Sequence, residues 1–373
     1  MSDKNTIAAA GEPIKRTSRN PDEVRRTIEL WLARILVPGA GPRVPSVTSP
    51  DANGMSSETL CFDASWKEAG RKMRGSFVAR LAPDVADIPV FPRYDLEAQF
   101  RVMRLVGERS SVPVPPARWL EPDPIHIGSP FLVMERVDGR VPPDVMPYNF
   151  GSWMTEATAE QRRELQEASL RVLVDLHAID LGDGAFAFLS PTTAGETALR
   201  RHVEDWRAFY EWMREGRTFP LIERAFSWID ENWPADEGAP VVSWGDSRIG
   251  NMLFDGFRPV AVLDWEMASI APRGVDVGWM IFLHTFFEDI AAQMNLPGLP
   301  EFMRPDDAWA SYEAGSGVVV SATDRHFYAV YAALRHALVM ARVHARRAHF
   351  GEAVWPDDPD DAIMHRALLT RML

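Results

Sequence analysis

Lysine and cysteine are almost missing from this chain. Of its 373 residues only Lys4, Lys15, Lys67 and Lys72 are lysines, against 36 arginines, and Cys61 is the sole cysteine. A single thiol can close no disulfide framework and build no cysteine-based metal centre. The arginine bias fits a genome rich in G and C, but it has a chemical consequence. Any cation that meets phosphate beyond Lys72 must be arginine. A basic excess is lacking too. With 53 acidic residues against 40 basic ones the net charge is −13 and the pI is near 5.2, which argues against a nucleic-acid partner. There is also no long apolar run. Val277–Phe287, the longest stretch near the centre, is interrupted by His284 and is too short to span a bilayer, so no membrane association is expected. Met1–Asn20 has no apolar leader segment and reads as the flexible tail of a cytoplasmic protein.

What is present is ample core material. Hydrophobic residues make up 46% of the chain, with 13 tryptophans, enough for a large core and for two domains. Asp22–Leu36 has apolar residues at helical spacing behind Pro21. Strand-like segments follow at Val44–Thr48, Thr59–Ala64 and Gly75–Leu81, the first two flanking a turn-rich loop at 50–57. Tyr94–Gly107 has helical periodicity with Leu96, Phe100, Met103 and Leu105 or Val106 inward, and two more strands are expected at Ala117–Leu120 and Pro130–Val137. After Asp138-Gly139 the pattern turns helical. Helices are expected over Glu160–Ala178, Val203–Glu215, Leu221–Trp233, Val275–Gln293 and Ala322–Arg347. Strands first and helices afterwards predict an α+β chain with a sheet lobe and a helical lobe.

The most informative stretch is Ser243-Trp-Gly-Asp-Ser-Arg-Ile-Gly-Asn251, followed by the strand-like Val260–Leu263 and by Asp264-Trp-Glu266. Asn251 lies five positions after Asp246, and Asp264 thirteen after Asn251, with a hairpin expected around Asp255-Gly256. Phosphoryl transfer from ATP needs an acceptor for the substrate hydroxyl proton and oxygen ligands that hold magnesium on the phosphates. One carboxylate, one amide and a second carboxylate on neighbouring loops supply that set. As ordinary turn residues, Asp246 and Asp264 would need no chemistry.

In this order, Trp244-Gly-Asp246 with Asn251, Leu263-Asp-Trp-Glu266 and Gly274-Val-Asp276-Val-Gly-Trp279 resemble the aminoglycoside phosphotransferase and related small-molecule kinase family. The hinge-like Phe131–Gly139 and the helix-ending Leu176-His-Ala178 add to the resemblance, which covers roughly residues 22–350. It implies a bilobal protein-kinase-like fold, with a nucleotide-binding lobe of small antiparallel sheet and helices at 21–137 and a helical lobe at 138–373. By the same resemblance Asp246 is the catalytic base, while Asn251 and Asp264 hold magnesium through oxygen atoms suited to that hard cation. Arg80 stands where kinases place a phosphate-gripping strand lysine, keeping the charge in a different geometry. Glu97 is its expected ion-pair partner, with Asp95 as competitor. Asp276 is expected to support the catalytic loop by accepting its backbone N–H groups.

Other readings stay open. Trp244 occupies a position that is histidine in much of the family, where the side chain packs and orients the loop. Gly54-Met55-Ser56-Ser57 could offer backbone N–H groups and the hydroxyls of Ser56 and Ser57 to phosphates, or simply connect two strands. Met134, Glu135 and Val137 belong to the segment that would read the adenine edge. Arg248, two residues after Asp246, could stabilise the transferring phosphate or sit solvated on a loop. Trp206, Phe209, Tyr210 and Trp212 could line an acceptor pocket or pack helices, and the histidines of the last long helix show no zinc-binding spacing. The implied reaction is ATP-dependent (or another nucleoside triphosphate), magnesium-requiring phosphorylation of a small-molecule hydroxyl. An aminoglycoside-like acceptor is the default and a hydroxyacyl-CoA or another small hydroxylated metabolite the alternative. A non-catalytic nucleotide-binding module is the reading from a different class. The acceptor pocket is expected between the helical lobe and the loops at Val141–Trp153 and Pro297–Met303.

Overall fold

The computed structural model describes residues 20–49, 58–83 and 88–373. Helix α1 (Pro21–Ile35) starts where Asn20 accepts the Asp22 N–H at 2.9 Å and Pro21 fills the first turn. Its buried stripe is Val24, Ile28, Trp31 and Leu32. That stripe packs on a five-stranded antiparallel sheet of order β1-β2-β3-β5-β4. The strands are β1 (Val47–Thr48), β2 (Glu58–Glu68) and β3 (Arg71–Leu81), then, after α2 (Leu96–Arg109), β4 (Ala117–Glu121) and β5 (Phe131–Glu135). The β2–β3 hairpin is longer than its sequence pattern suggests. Ala69 and Gly70, at φ +47° and +77°, close it tightly, with Lys67 opposite Lys72.

Alternation along β5 divides two cores. Phe131 and Val133 face α1, whereas Leu132 and Met134 join α2 and the core of the helical lobe. The expected Leu96 and Met103 are buried on α2, with Val102 and Val106; Phe100 and Leu105 are only partly buried.

The second lobe begins with the short α3 (Trp153–Glu156) and α4 (Ala159–His177), which opens on a Thr158/Gln161 capping box. The apolar stripe expected there is buried throughout. Then come α5 (Ala198–Met213), α6 (Pro220–Glu231), β6 (Pro240–Ser243), β7 (Met252–Asp255), β8 (Arg258–Val262), β9 (Ser269–Pro272), α7 (Gly274–Gln293), α8 (Pro305–Ser316), α9 (Ala322–His349) and α10 (Arg366–Met372). Helix α7 is buried on nearly every side over its first ten residues. It lies so close to α9 that a Cβ on Gly278 would sit 2.8 Å from the Tyr328 carbonyl oxygen. The sheet lobe and helical lobe are those of the protein-kinase-like arrangement. The helical lobe also holds the antiparallel pairs β6–β9 and β7–β8, of which β6 and β9 give no periodic signal. Among the described residues no helix is long and apolar enough to cross a membrane.

Candidate active site

The two strand pairs frame the site. The loop from β6 to β7 carries Asp246, Arg248 and Asn251, and the loop from β8 to β9 carries Asp264 and Glu266. They are held together by the Leu263 N–H, which donates to the Asn251 carbonyl at 2.9 Å.

The first loop is wound around the buried carboxylate of Asp276. Its Oδ1 accepts the Ser243 hydroxyl at 2.9 Å and the Gly245 N–H at 2.8 Å, and its Oδ2 accepts the Trp244 N–H at 2.8 Å. His177 reaches the same Oδ2 through Nε2 at 3.0 Å, and its Nδ1 is 2.7 Å from the Tyr312 hydroxyl. Burial works against this charge. The His177 contact and the Gly245 and Trp244 N–H groups outweigh it and hold the carboxyl below its ordinary range. Gly245 takes φ +87°, and a Cβ there would lie 2.1 Å from the Met267 carbonyl oxygen, so only glycine fits this turn. Trp244 is fully buried, with its indole N–H on the Leu263 carbonyl at 2.8 Å; it joins the loop that carries Asp246 to the loop that carries Asp264.

Asp246 emerges from this frame with both oxygens engaged. Oδ1 accepts the Trp279 indole N–H at 2.8 Å, Oδ2 accepts the Asn251 amide at 2.7 Å, and Arg248 Nε is 3.1 Å from each. Burial and the nearby charge of Asp264 push its pKa up to about 7 despite those hydrogen bonds. Because Asn251 gives its Nδ2 to Asp246, its amide oxygen is left for a cation. Asp264 sits in the left-handed region at φ +60°, a conformation that aspartate tolerates better than most residues. Its carboxylate is paired with Arg80 Nη1 at 2.5 Å, and Arg80 Nη2 is 3.8 Å from Glu266. An amide oxygen and a carboxylate on adjacent loops are hard oxygen donors of the kind that would hold magnesium.

Several expected partners differ. Arg80 pairs with Asp264 and Glu266, while Glu97 is exposed on α2 and Asp95 caps that helix on the Ala98 N–H at 2.8 Å. A helix-facing carboxylate loses to one on the loop that β3 faces. Arg248 is partly buried and not a solvated loop arginine. It bridges Asp246 and Asp144, a residue of the 136–147 segment. Ser56 and Ser57 lie outside the described residues, as does most of their loop. In the hinge segment Met134 is buried and the Glu135 carboxylate pairs with Arg118. The Glu135 N–H goes to the Pro116 carbonyl at 3.0 Å and the Arg136 N–H to Ser76 at 2.8 Å, so Val137 is the first residue past these sheet bonds. Trp206, Phe209 and Tyr210 are buried packing residues.

Next to Arg248 lies a small cavity lined by Asp144, Tyr148, Met280, Leu283, Phe287 and Met303. A Cβ on Gly250 would fall 2.4 Å from Asp144 Oδ1, so that glycine makes room for the Asp144 carboxylate. The functional contacts of Asp144, Trp279 and Glu266 escaped the sequence reading. Trp279 and Glu266 stood inside the recognised motifs, which was the available signal.

Known proteins share the family and the fold of this chain. The model of a family described as "Phosphotransferase enzyme family" matches residues 65–305. A Ralstonia eutropha protein described as an aminoglycoside phosphotransferase superposes with TM-score 0.65 at 21% identity, covering 93% of this chain and 96% of that one. The GDP complex of aminoglycoside 2'-phosphotransferase-IIIa gives TM-score 0.56 at 13% identity, over 95% and 98%. Among curated sequences, the Arabidopsis thaliana acyl-CoA dehydrogenase IBR3 is 25% identical over 265 residues, which is 67% of this chain and 31% of that protein. The human acyl-CoA dehydrogenase family member 11 is 24% identical over 197 residues, 52% of this chain and 24% of that protein. The chain therefore spans about a third or less of the length of these relatives.

Proposed function

Because the chain belongs to the phosphotransferase enzyme family, we propose that it moves the γ-phosphoryl group of ATP to a hydroxyl of a small molecule. The observation that carries this reading is the convergence of Asp246, Asn251 and Asp264 on two loops tied by one backbone hydrogen bond. Magnesium, when bound, neutralises charge on the phosphates and fixes their geometry. Asn251 and Asp264 would hold it. Arg80, which faces Asp264, would share its charge with a phosphate oxygen. Asp246 accepts the proton of the acceptor hydroxyl. Its indole and amide donors aim the carboxylate, and most of its contribution is positional. Arg248 places a cation beside the reacting oxygens, where it would counter the charge developed during transfer. Backbone groups around Met134, Glu135 and Val137, with the hydroxyls of Ser56 and Ser57, would complete the nucleotide site.

For the acceptor, we favour a hydroxyl carried on an apolar body. Hydroxyacyl thioesters are such acceptors, and what supports them is the likeness to proteins named as acyl-CoA dehydrogenases. An aminoglycoside-like acceptor is the second reading, motivated by the aminoglycoside phosphotransferase neighbours and the net charge of −13. Screening hydroxyacyl-CoA compounds, an aminoglycoside panel and sugar or amino alcohols for magnesium-dependent phosphate transfer discriminates the two. Equal background rates in the wild type and Asp246→Ala would instead leave a nucleotide-binding module without catalysis.

A further inference from the structure

Arg335 stands behind the catalytic loop, on α9, with 1% of its surface exposed. A guanidinium stripped of water is costly unless its donors are used, yet its Nε and Nη1 have no hydrogen-bond acceptor among the described residues. Its Nη2 donates to the Gly245 carbonyl at 2.9 Å. Aromatic faces replace the remaining water, with the Trp279 ring centroid 4.5 Å away, Trp206 at 5.0 Å and Tyr331 at 5.8 Å. Both of its close attachments lead to one side chain. Gly245 is the residue before Asp246, and Trp279 is the indole that donates to Asp246 Oδ1 at 2.8 Å.

We propose that Arg335 is a positioning residue for phosphoryl transfer, fixing both the Gly245 turn and the Trp279 indole that together aim the Asp246 carboxylate. A methionine of similar length would fill the same space and spare the desolvation of a charge. The arginine adds what methionine cannot, a donor to the backbone and a planar cation that pins the indole face. The negative charges of Asp246 and, on α7, of Asp276 also act on the cation.

This inference rests on Asp246 as proton acceptor, and the experiment separates the two. Magnesium-dependent phosphate release from ATP is measured for the wild type, Asp246→Asn, Arg335→Met and Arg335→Lys, and normalised to sites counted by titration with a non-hydrolysable ATP analogue. Arg335→Met is expected to lose about tenfold or more in kcat, with KM for ATP and analogue stoichiometry unchanged. Arg335→Lys, which keeps the charge but not the planar stack, should recover part of the loss. Wild-type turnover per site in Arg335→Met overturns the proposal. Should that variant not fold, wild-type turnover per site in Arg335→Lys overturns it equally. Wild-type turnover in Asp246→Asn would overturn the function proposed above, whereas a dead Asp246→Asn beside an unimpaired Arg335→Met sinks only the positioning role.

Discussion

Trp279 donates its indole N–H to Asp246 Oδ1 at 2.8 Å, so the second turn of α7 reaches across to steer a carboxylate 33 positions earlier in the chain. Trp279 is 3% exposed and packs in the main core, which keeps the donor from wandering. Replacing it with phenylalanine preserves most of the packing and deletes the donor. A hydrogen bond to a charged group contributes about 1.5–3 kcal/mol, so Trp279→Phe should lower kcat by about ten- to a hundredfold. Steady-state kinetics with ATP check this, and a kcat within twofold of wild type would refute it.

Gly250 and Arg248 make a separate prediction about the acceptor side. A Cβ at 250 meets the Asp144 carboxylate, the partner of Arg248. Gly250→Ala should therefore raise the acceptor KM while leaving that of ATP unchanged. Arg248→Ala should lower turnover more than nucleotide affinity, as measured by kcat against the ATP dissociation constant. Unchanged turnover would mean that the guanidinium has no part in transfer.

The loop frame itself is testable through Asp276. Asp276→Asn keeps the shape but turns an amide donor toward N–H groups that now donate to a carboxylate. Breaking such a buried charged network costs about 3 kcal/mol or more. The thermal midpoint should fall by several degrees and activity should fall with it. Calorimetry at neutral pH would expose an error here, since an unchanged midpoint is incompatible with the contacts described.

Acid sensitivity follows from buried histidines. Burial pulls His284 and His365 down to about 4 in the folded chain, from the unperturbed value of about 6.5. Above about pH 6.5 both folded and unfolded forms are neutral and the stability is fully present. Between about pH 6.5 and 4 only the unfolded chain takes up the protons, so stability falls as pH drops, by up to about 3 kcal/mol per histidine. Melting curves from pH 7.5 to 5 should show this slope, and His365→Gln should flatten it. An equal slope in that variant would disprove the assignment.

Magnesium dependence tests Asp264. Its present counter-charge is Arg80 at 2.5 Å. Asp264→Asn removes the attraction for both cations and should raise the magnesium concentration needed for half-maximal turnover by about tenfold or more. A magnesium titration at saturating ATP reads this directly.

Much of this was legible in the sequence, because it depends on neighbours along the chain. Periodicity places α1, α2, α4, α7 and α9 to within a few residues, since a helix shows its buried face every three or four positions. Strands β6 and β9 escape detection because four residues are too few for a pattern and their pairing is with each other, nearly thirty positions apart. Helix α8 escapes for a different reason. Only Ala308, Trp309 and Tyr312 are buried along it, too sparse a stripe to read.

The sequence by itself determined the candidate set proposed as reactive, Asp246, Asn251 and Asp264, through an order and spacing read along the chain. Only the tertiary structure decided who faces whom. Arg80 chose Asp264 and Glu266 over Glu97, Arg248 met Asp144, and Arg335 reached Gly245 from 90 positions away. The reason is physical. Turn geometry is written in adjacent residues, whereas the partner of a buried charge is whatever the packing of distant elements brings within reach of it.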